Sequence, residues 1–408
     1  MIYDYCIIGG GIAGLYCAIK LAKKHTVLLC EKYKTLGGRI ATFHHNKIQY
    51  EEGAGRISKD HTLVLELIKK YNLTLYPINP ELHYKKNGKT SITENEFEPS
   101  LDIFFGPLQN LSKDILQSNT LRTLLEQIHG KEKTKSFLNR FPYRAEVDVL
   151  RADIALDVFH HEMGTHEGYF VVTEGLSALI ECMRKEFLGL GGKVANHYEC
   201  ININESEKGF TSEILSGNKN HKKKVFIHSN KVICALTSEA LKQIPYFKNL
   251  NVLNCVKMEP LLRIYANYPT NWFKGLGRIV TDTHIRYFLP MANNLAMVSY
   301  TDSYDTDYYH SIQDETILGE IIQKDLKELF PEISIPNYTF FKSHYWKNGA
   351  TYWLPNIYDV KKESSNSIKP FDSDIYIVGE SFSLKQAWVE GALEQCEKFF
   401  DNYSNNEH

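Results

Sequence analysis

Paired cysteines are missing from this sequence: its eight cysteines (Cys6, Cys17, Cys30, Cys182, Cys200, Cys234, Cys255 and Cys396) stand singly, mostly inside apolar strand or helix patterns. With no Cys-x-x-Cys, buried free thiols in a reducing, cytoplasmic compartment fit better than a disulfide framework or a thiolate metal site. Charge of one sign is missing too. The 47 Lys and Arg against 49 Asp and Glu leave a net charge of −2, so no long-range field draws nucleic acid or an anionic membrane. No apolar run reaches the ~18 residues of a membrane span. The first strand pattern starts almost at Met1, with no secretory leader pattern before it. The chain therefore reads as soluble and intracellular, with neither nucleic acid nor membrane as a partner. His161 and His166 are five apart with Gly164 between them, whereas a zinc helix needs histidines four apart to share a face. No metal is expected.

What the sequence does have is concentrated at its two ends. Tyr5 to Ile8 reads as a short apolar strand running into Gly9-Gly10-Gly11-Ile12-Ala13-Gly14, followed by helical apolar spacing from Gly14 to about Lys24. Gly9 allows the tight turn, Gly11 lets a pyrophosphate approach the backbone, and Gly14 lets helix and strand pack closely. The amides of Ile12 and Ala13 open the helix, whose positive end favours phosphate. A second strand from Thr26 to Cys30 ends in Glu31, 17 residues past Gly14, close to the roughly 20 at which an acid binds ribose hydroxyls. Glu31, followed by Lys32, is the expected adenosine ribose ligand.

At 408 residues the chain exceeds the ~250 to 300 at which a single core stops growing, which predicts two domains. Residues 1–75, 166–240 and 365–408 read as a nucleotide-binding domain. Residues 76–165 and 241–364 read as a discontinuous substrate domain with a mixed sheet and a helical insertion. Helices are expected at 63–71, 108–117, 121–129, 133–138, 145–158, 177–188, 315–329 and 389–400. The polar run Glu205 to Lys224 reads as a solvated hairpin or loop, and its cluster of Lys219 and Lys222 to Lys224 as a soluble surface. The fold class is α/β with a Rossmann-like core.

Further blocks carry a family resemblance. Leu36 to Thr42, with Gly37, Gly38 and Arg39, resembles the Gly-Gly doublet and arginine of flavin-containing amine oxidases. Glu51 to Arg56 resembles their next block, and Gly379-Glu380 with Trp388 to Ala392 their C-terminal flavin motif; the Thr173 to Leu179 turn and the Val232 to Leu236 strand also match in family order. The resemblance implies a Rossmann-like FAD-binding domain and an oxidase that takes an amine or amino acid to an imine. Hydride passes to flavin N5, and O2 reoxidises the flavin to give hydrogen peroxide. In chemical terms, Arg39 supplies a forked cation to the pyrophosphate. Gly53, Ala54 and Gly55 leave backbone bare where a flat ring must lie. Glu380 accepts from ribityl or ribose hydroxyls, or caps a helix. The helix starting near Val389, with Ala392 in its first turn, aims amides at the flavin's electron-rich edge.

For the substrate, the resemblance makes Trp388 one aromatic wall and puts the other in Gly349 to Trp353, with Tyr352 or Trp353 serving, unless these are core aromatics. Ala350 stands where monoamine oxidases attach the flavin through cysteine, which implies noncovalent FAD. Arg263 stands where many members carry a lysine near N5; a guanidinium does not deprotonate there. Lys257 is a rival for that place, and an outward-facing strand arginine is the plain alternative. Arg56 ends the block in which L-amino-acid oxidases hold a carboxylate-binding arginine, and it also suits a pyrophosphate or interdomain role. Two other classes stay open: a related flavoenzyme acting on carbon–carbon bonds or as an isomerase, and a noncatalytic flavin-binding protein. Oligomeric state is not legible.

Overall fold

The computed structural model describes residues 1–79, 81–86, 91–93, 101–164, 168–218 and 221–404, excluding the side chains of 91–93, 160–164 and 404. The chain divides into two compact units, Met1–Pro77, Tyr169–Met258 and Tyr358–His408 in the first, Ile78–Gly168 and Glu259–Ile357 in the second. Residues 241–258 and 358–364, expected in the substrate domain, belong to the first unit. The Tyr246 ring packs edge-on to Phe371 at 5.3 Å, and the Tyr358 hydroxyl donates to the Cys255 carbonyl at 3.1 Å.

The first unit is built on a sheet of β1 (Ile2–Ile8), β2 (Val27–Glu31), β3 (Lys193–Asn196), β4 (Tyr198–Ser206), β5 (Gly209–Ser216), β6 (Lys223–Cys234) and β7 (Ile375–Ile377). Its order is β3-β2-β1-β6-β5-β4, with β7 pairing the end of β6. The β3, β2, β1, β6 and β7 pairings are parallel, whereas β4 and β5 join antiparallel. β2 is buried at all five positions, as expected of a parallel strand covered on both faces. Helices α1 (Ile12–Ala22), α2 (Thr62–Lys70), α3 (Ser177–Gly189) and α4 (Val389–Phe399) supply Leu15, Ala18, Leu179, Phe187, Leu393 and Phe399 to one core with Ile7, Leu29 and Ile233. The parallel strands β1, β2 and β6 each end in a loop rather than a hairpin, at the same edge of the sheet.

The polar run is mostly strand. β5 alternates between buried and half-buried positions along its length, with Ser212 and Ser216 taking inward places where apolar residues would have marked the pattern. Lys222 pairs with Glu199 at 2.8 Å and Lys224 with Glu213 at 2.9 Å; Lys219 lies outside the described residues.

In the second unit, the strands Phe340–Trp353, Val256–Asn267, Leu295–Asp302, Tyr287–Pro290, Arg278–Thr281, Leu82–Lys85 and Ser91–Thr93 form a sheet in that order. The helix Glu315–Leu329, capped by Asp314, contributes Leu318, Ile322 and Leu326 to a core with Leu262, Ile264 and Phe288. Two expected helices are interrupted. Pro107 shapes a 3-10 turn over Gly106–Asn110 before Ser112 caps Lys113–Gln117. The 145–158 helix breaks into Ala145–Asp148 and Ala152–Gly164 because the Arg151 amide donates to the Trp353 carbonyl at 2.9 Å. His161 lies in the second piece, while His166 is outside the described residues. Among the described residues, no helix is long and apolar enough to cross a membrane.

Candidate active site

The turn between β1 and α1 contains glycines of two kinds. At Gly9, φ is +105° and a Cβ would lie 2.4 Å from the Ala235 carbonyl oxygen; at Gly14 it would lie 1.9 Å from the Gly9 oxygen. Those two are required by packing. A Cβ on Gly11 would meet nothing nearer than 3.9 Å, so packing does not require its bareness. α1 has no side-chain cap and no acid in its first turn, leaving the amides of Ile12 and Ala13 at a positive end. Gly37 donates to the Gly10 carbonyl at 2.9 Å, which lays the Gly37-Gly38 loop beside this turn.

Glu31, at the end of β2, is only 6 % exposed. One carboxylate oxygen accepts the Gly10 amide at 2.7 Å and the other the Tyr33 amide at 2.8 Å. Burial pushes its pKa up against the opposing pull of these amides. Lys32 pairs with Glu199 at 2.7 Å. Arg39 Nη1 lies 2.8 Å from Glu380 Oε2, and Glu380 Oε1 accepts the Ala387 amide at 2.8 Å. Glu380 therefore ties the C-terminal motif to the arginine of the Gly-Gly block. Gly379, with φ +119°, would present a Cβ to open space. The Ala54 amide donates to the Arg39 carbonyl at 2.9 Å, while Gly53, Ala54, Gly55 and Arg56 are half-buried.

Around Trp388 the structure gathers residues from distant parts of the sequence. Tyr169 lies parallel to the indole at 6.0 Å, and the His61 ring meets it edge-on at 4.8 Å. The Arg56 guanidinium lies over both aromatics, 5.1 Å from the Tyr169 centroid and 5.7 Å from that of Trp388. α4 starts at Val389 without a side-chain cap from Trp388, and Gly391 and Ala392 follow buried in its first turns.

Arg263, Tyr352 and Trp353 belong to the second unit. Arg263 is buried on its strand with its guanidinium 4.7 Å from the Tyr300 ring centroid; Lys257 is exposed. Tyr143 packs edge-on to Tyr300 at 5.4 Å. Asp302 holds the next stretch in place by accepting the amides of Arg144 at 2.7 Å and Ala145 at 2.8 Å. Burial, opposed by these amides, pushes Asp302 up to about 7. Trp353 is 1 % exposed and Tyr352 6 %, both as buried as core aromatics.

The flavin-containing amine oxidoreductase family profile matches residues 12–397. The chain belongs to that family. This amine oxidoreductase is 22% identical to an L-amino acid oxidase of Cerastes cerastes, the match covering 95% of the chain and 84% of that protein. It is also 22% identical to the L-amino acid oxidase of Bothrops pictus, over 95% and 87%. Two solved putrescine oxidase structures, redesigned variants for cofactor binding, share its fold with TM-scores of 0.75 and 0.77, at 16% identity and 98% coverage of both chains. The α/β class expected from the sequence is therefore the observed one.

The family implies a flavin, and the first unit of this oxidoreductase fits one. Gly11 and Gly379 leave open space where side chains would stand. α1 and α4 present uncapped N-termini, each suited to an electron-rich group. Sequence reasoning missed His61, Tyr169 and Glu390. His61 stood just ahead of an amphipathic run, at a helix-cap position, and Glu390 inside the Trp388 to Ala392 block, while Tyr169 left no local signal.

Burial lowers the pKa of His61 to about 4, with Asp60 opposing and Lys385 and Arg56 adding to the drop. A base with a depressed folded pKa gives stability that is present above its unfolded value near 6.5 and is lost as pH falls toward 4. Denaturation at pH 7 and 4.5 should show a loss on the order of 2 kcal/mol from this residue, and His61→Phe should flatten that difference.

Proposed function

We propose that this chain is a cytoplasmic FAD-dependent oxidase of amino acids, holding its cofactor noncovalently. The observation that carries this reading is the Arg56 guanidinium over Trp388 and Tyr169. A fixed cation at the substrate wall repels a simple alkylammonium and attracts a carboxylate. An amino acid is the amine that brings a carboxylate with it. The names of the curated relatives agree with this choice.

In this reading Gly9, Gly11, Gly14 and the amides of Ile12 and Ala13 receive the diphosphate, with Arg39 as its cation. Glu31, already bonded to two amides, keeps lone pairs for ribose hydroxyls, next to Lys32. The Gly53 to Gly55 backbone and the residues from Gly379 through Ala392 receive the ring system. Bound FAD supplies two-electron redox chemistry that takes the amino acid to its imine, with O2 as final acceptor and hydrogen peroxide as its product. Arg56 orients the substrate carboxylate, and Trp388 excludes water from its flank. Arg263, a permanent cation, orders water without acting as a base. Ala350 offers no sulfur for attachment, so acid precipitation should release yellow FAD into the supernatant.

The test is an anaerobic titration of the yellow protein. Amino acids should bleach the flavin bands and their decarboxylated counterparts should not. Arg56→Ala should stay yellow while its substrate affinity falls about 10- to 100-fold, as for a lost charge-assisted pair. Bleaching by putrescine as readily as by amino acids would reject the carboxylate assignment. Protein that stays colourless after soaking in excess FAD would reject the flavin site.

A further inference from the structure

Trp388 and His61 are 327 positions apart, yet the structure joins them twice. The first connection is ring to ring, at 4.8 Å and 66°. The second runs through Glu390, two residues after Trp388 in the first turn of α4 and 1 % exposed. Its carboxylate accepts the amides of Leu63 at 2.9 Å and Val64 at 3.0 Å, and the Thr62 hydroxyl at 3.3 Å. These are the opening groups of α2, whose N-cap residue is His61 itself. One buried carboxylate thus compensates the positive start of α2 while fixing where His61 stands.

His61 is locked on its own side as well. Its Nδ1 accepts the Ser58 amide at 3.2 Å, which places the ring proton on Nε2, and its backbone amide donates to the Ser58 carbonyl at 3.1 Å. A closed circuit results: Trp388, Val389, Glu390, the first turn of α2, His61, and back to Trp388. With Tyr169 parallel to the indole, the plane of Trp388 is set by its neighbours rather than by its own rotamer preference.

We propose that His61 is a positioning residue for Trp388, its ring edge fixing the indole plane and Glu390 fastening it there. The inference rests on the reading of Trp388 as a wall of the substrate site. A neutral imidazole does this without adding a second cation beside Arg56, consistent with the pKa drop that burial imposes. Trp388 touches the substrate in this arrangement; His61 acts only through it.

The experiment compares the holoprotein and its His61→Ala, His61→Phe, Glu390→Gln and Trp388→Ala variants by stopped-flow anaerobic flavin reduction with the best amino acid, together with visible circular dichroism of the flavin. His61→Ala should lower the limiting reduction rate about tenfold, a fraction of the ~100-fold that a 1 Å misplacement costs, with substrate affinity within twofold and an altered dichroism band. His61→Phe, which retains a ring edge, should recover both. Glu390→Gln should slow reduction in the same sense with His61 untouched, and this variant decides if His61→Ala fails to fold. An unchanged rate in His61→Ala, or equal impairment in His61→Phe, overturns the proposal. If Trp388→Ala itself reduces normally, the wall reading fails instead, and the two failures are told apart.

Discussion

A Gly14→Ala variant should be colourless and markedly less stable, whereas Gly11→Ala should keep its stability and lose only the cofactor. The Cβ added at Gly14 would stand 1.9 Å from the Gly9 carbonyl oxygen, with Ala235 Cβ 3.3 Å away. Both obstacles belong to the backbone or to a side chain with no other rotamer, so α1 must move off β1. Alanine in a helix is intrinsically favoured by up to about 1 kcal/mol over glycine. Overpacking of a tight contact costs about 1–3 kcal/mol or more, and here it wins. Gly11 sits at φ −72°, which alanine adopts freely, and its Cβ would contact nothing within 3.9 Å. A methyl there fills only the space left for a ligand. Melting temperature and the ratio of flavin to protein absorbance separate the outcomes: a yellow Gly14→Ala variant of unchanged stability would show that the turn yields more easily than its geometry states.

The same contrast explains what the sequence could disclose. Glycines forced by sterics leave a fixed spacing, so the turn, its strand and its helix were legible. Only the helix start moved, to Ile12, because Gly14 lies inside the first turn. The sequence offered Glu380 as an acceptor for ribityl or ribose hydroxyls or as a helix cap, but not its pairing with Arg39, since nothing in either block shows that the two meet. The Trp388 surroundings were the least legible part. Arg56 and His61 stand five residues apart, but Tyr169 and Trp388 come from distant segments, and ring contacts between distant segments have no period in the sequence. The polar run from Glu205 was legible as a hairpin or loop but not as strands of the main sheet: serines at inward positions of β5 conceal a strand whose alternation exists in burial but not in hydropathy. The resemblance offered Tyr352 or Trp353 as a site wall unless they were core aromatics, and in the structure they are as buried as the surrounding core.

Arg39→Ala is the second substitution with a large expected effect, because in the proposed reading one guanidinium serves both the fold and the diphosphate. The Glu380 side chain is 5% exposed, pairs with Arg39 at 2.8 Å and accepts the Ala387 amide at 2.8 Å. Removing one partner of a buried pair leaves an uncompensated charge, at a cost of about 3 kcal/mol. It also removes the cation proposed for the diphosphate, and FAD affinity should fall about 100-fold, equivalent to ~3 kcal/mol for a charged hydrogen bond. The double variant Arg39→Met with Glu380→Gln separates the two roles. With both charges gone, the desolvation cost disappears and stability should return to within about 1 kcal/mol of the parent, as apolar replacement of buried pairs often allows. FAD affinity should stay low, since no cation has been restored. Chemical denaturation of the apoprotein reads the first quantity, and flavin fluorescence quenching on titration with FAD reads the second. If the double variant regains FAD affinity along with stability, Arg39 acts on the cofactor only by holding Glu380 in place.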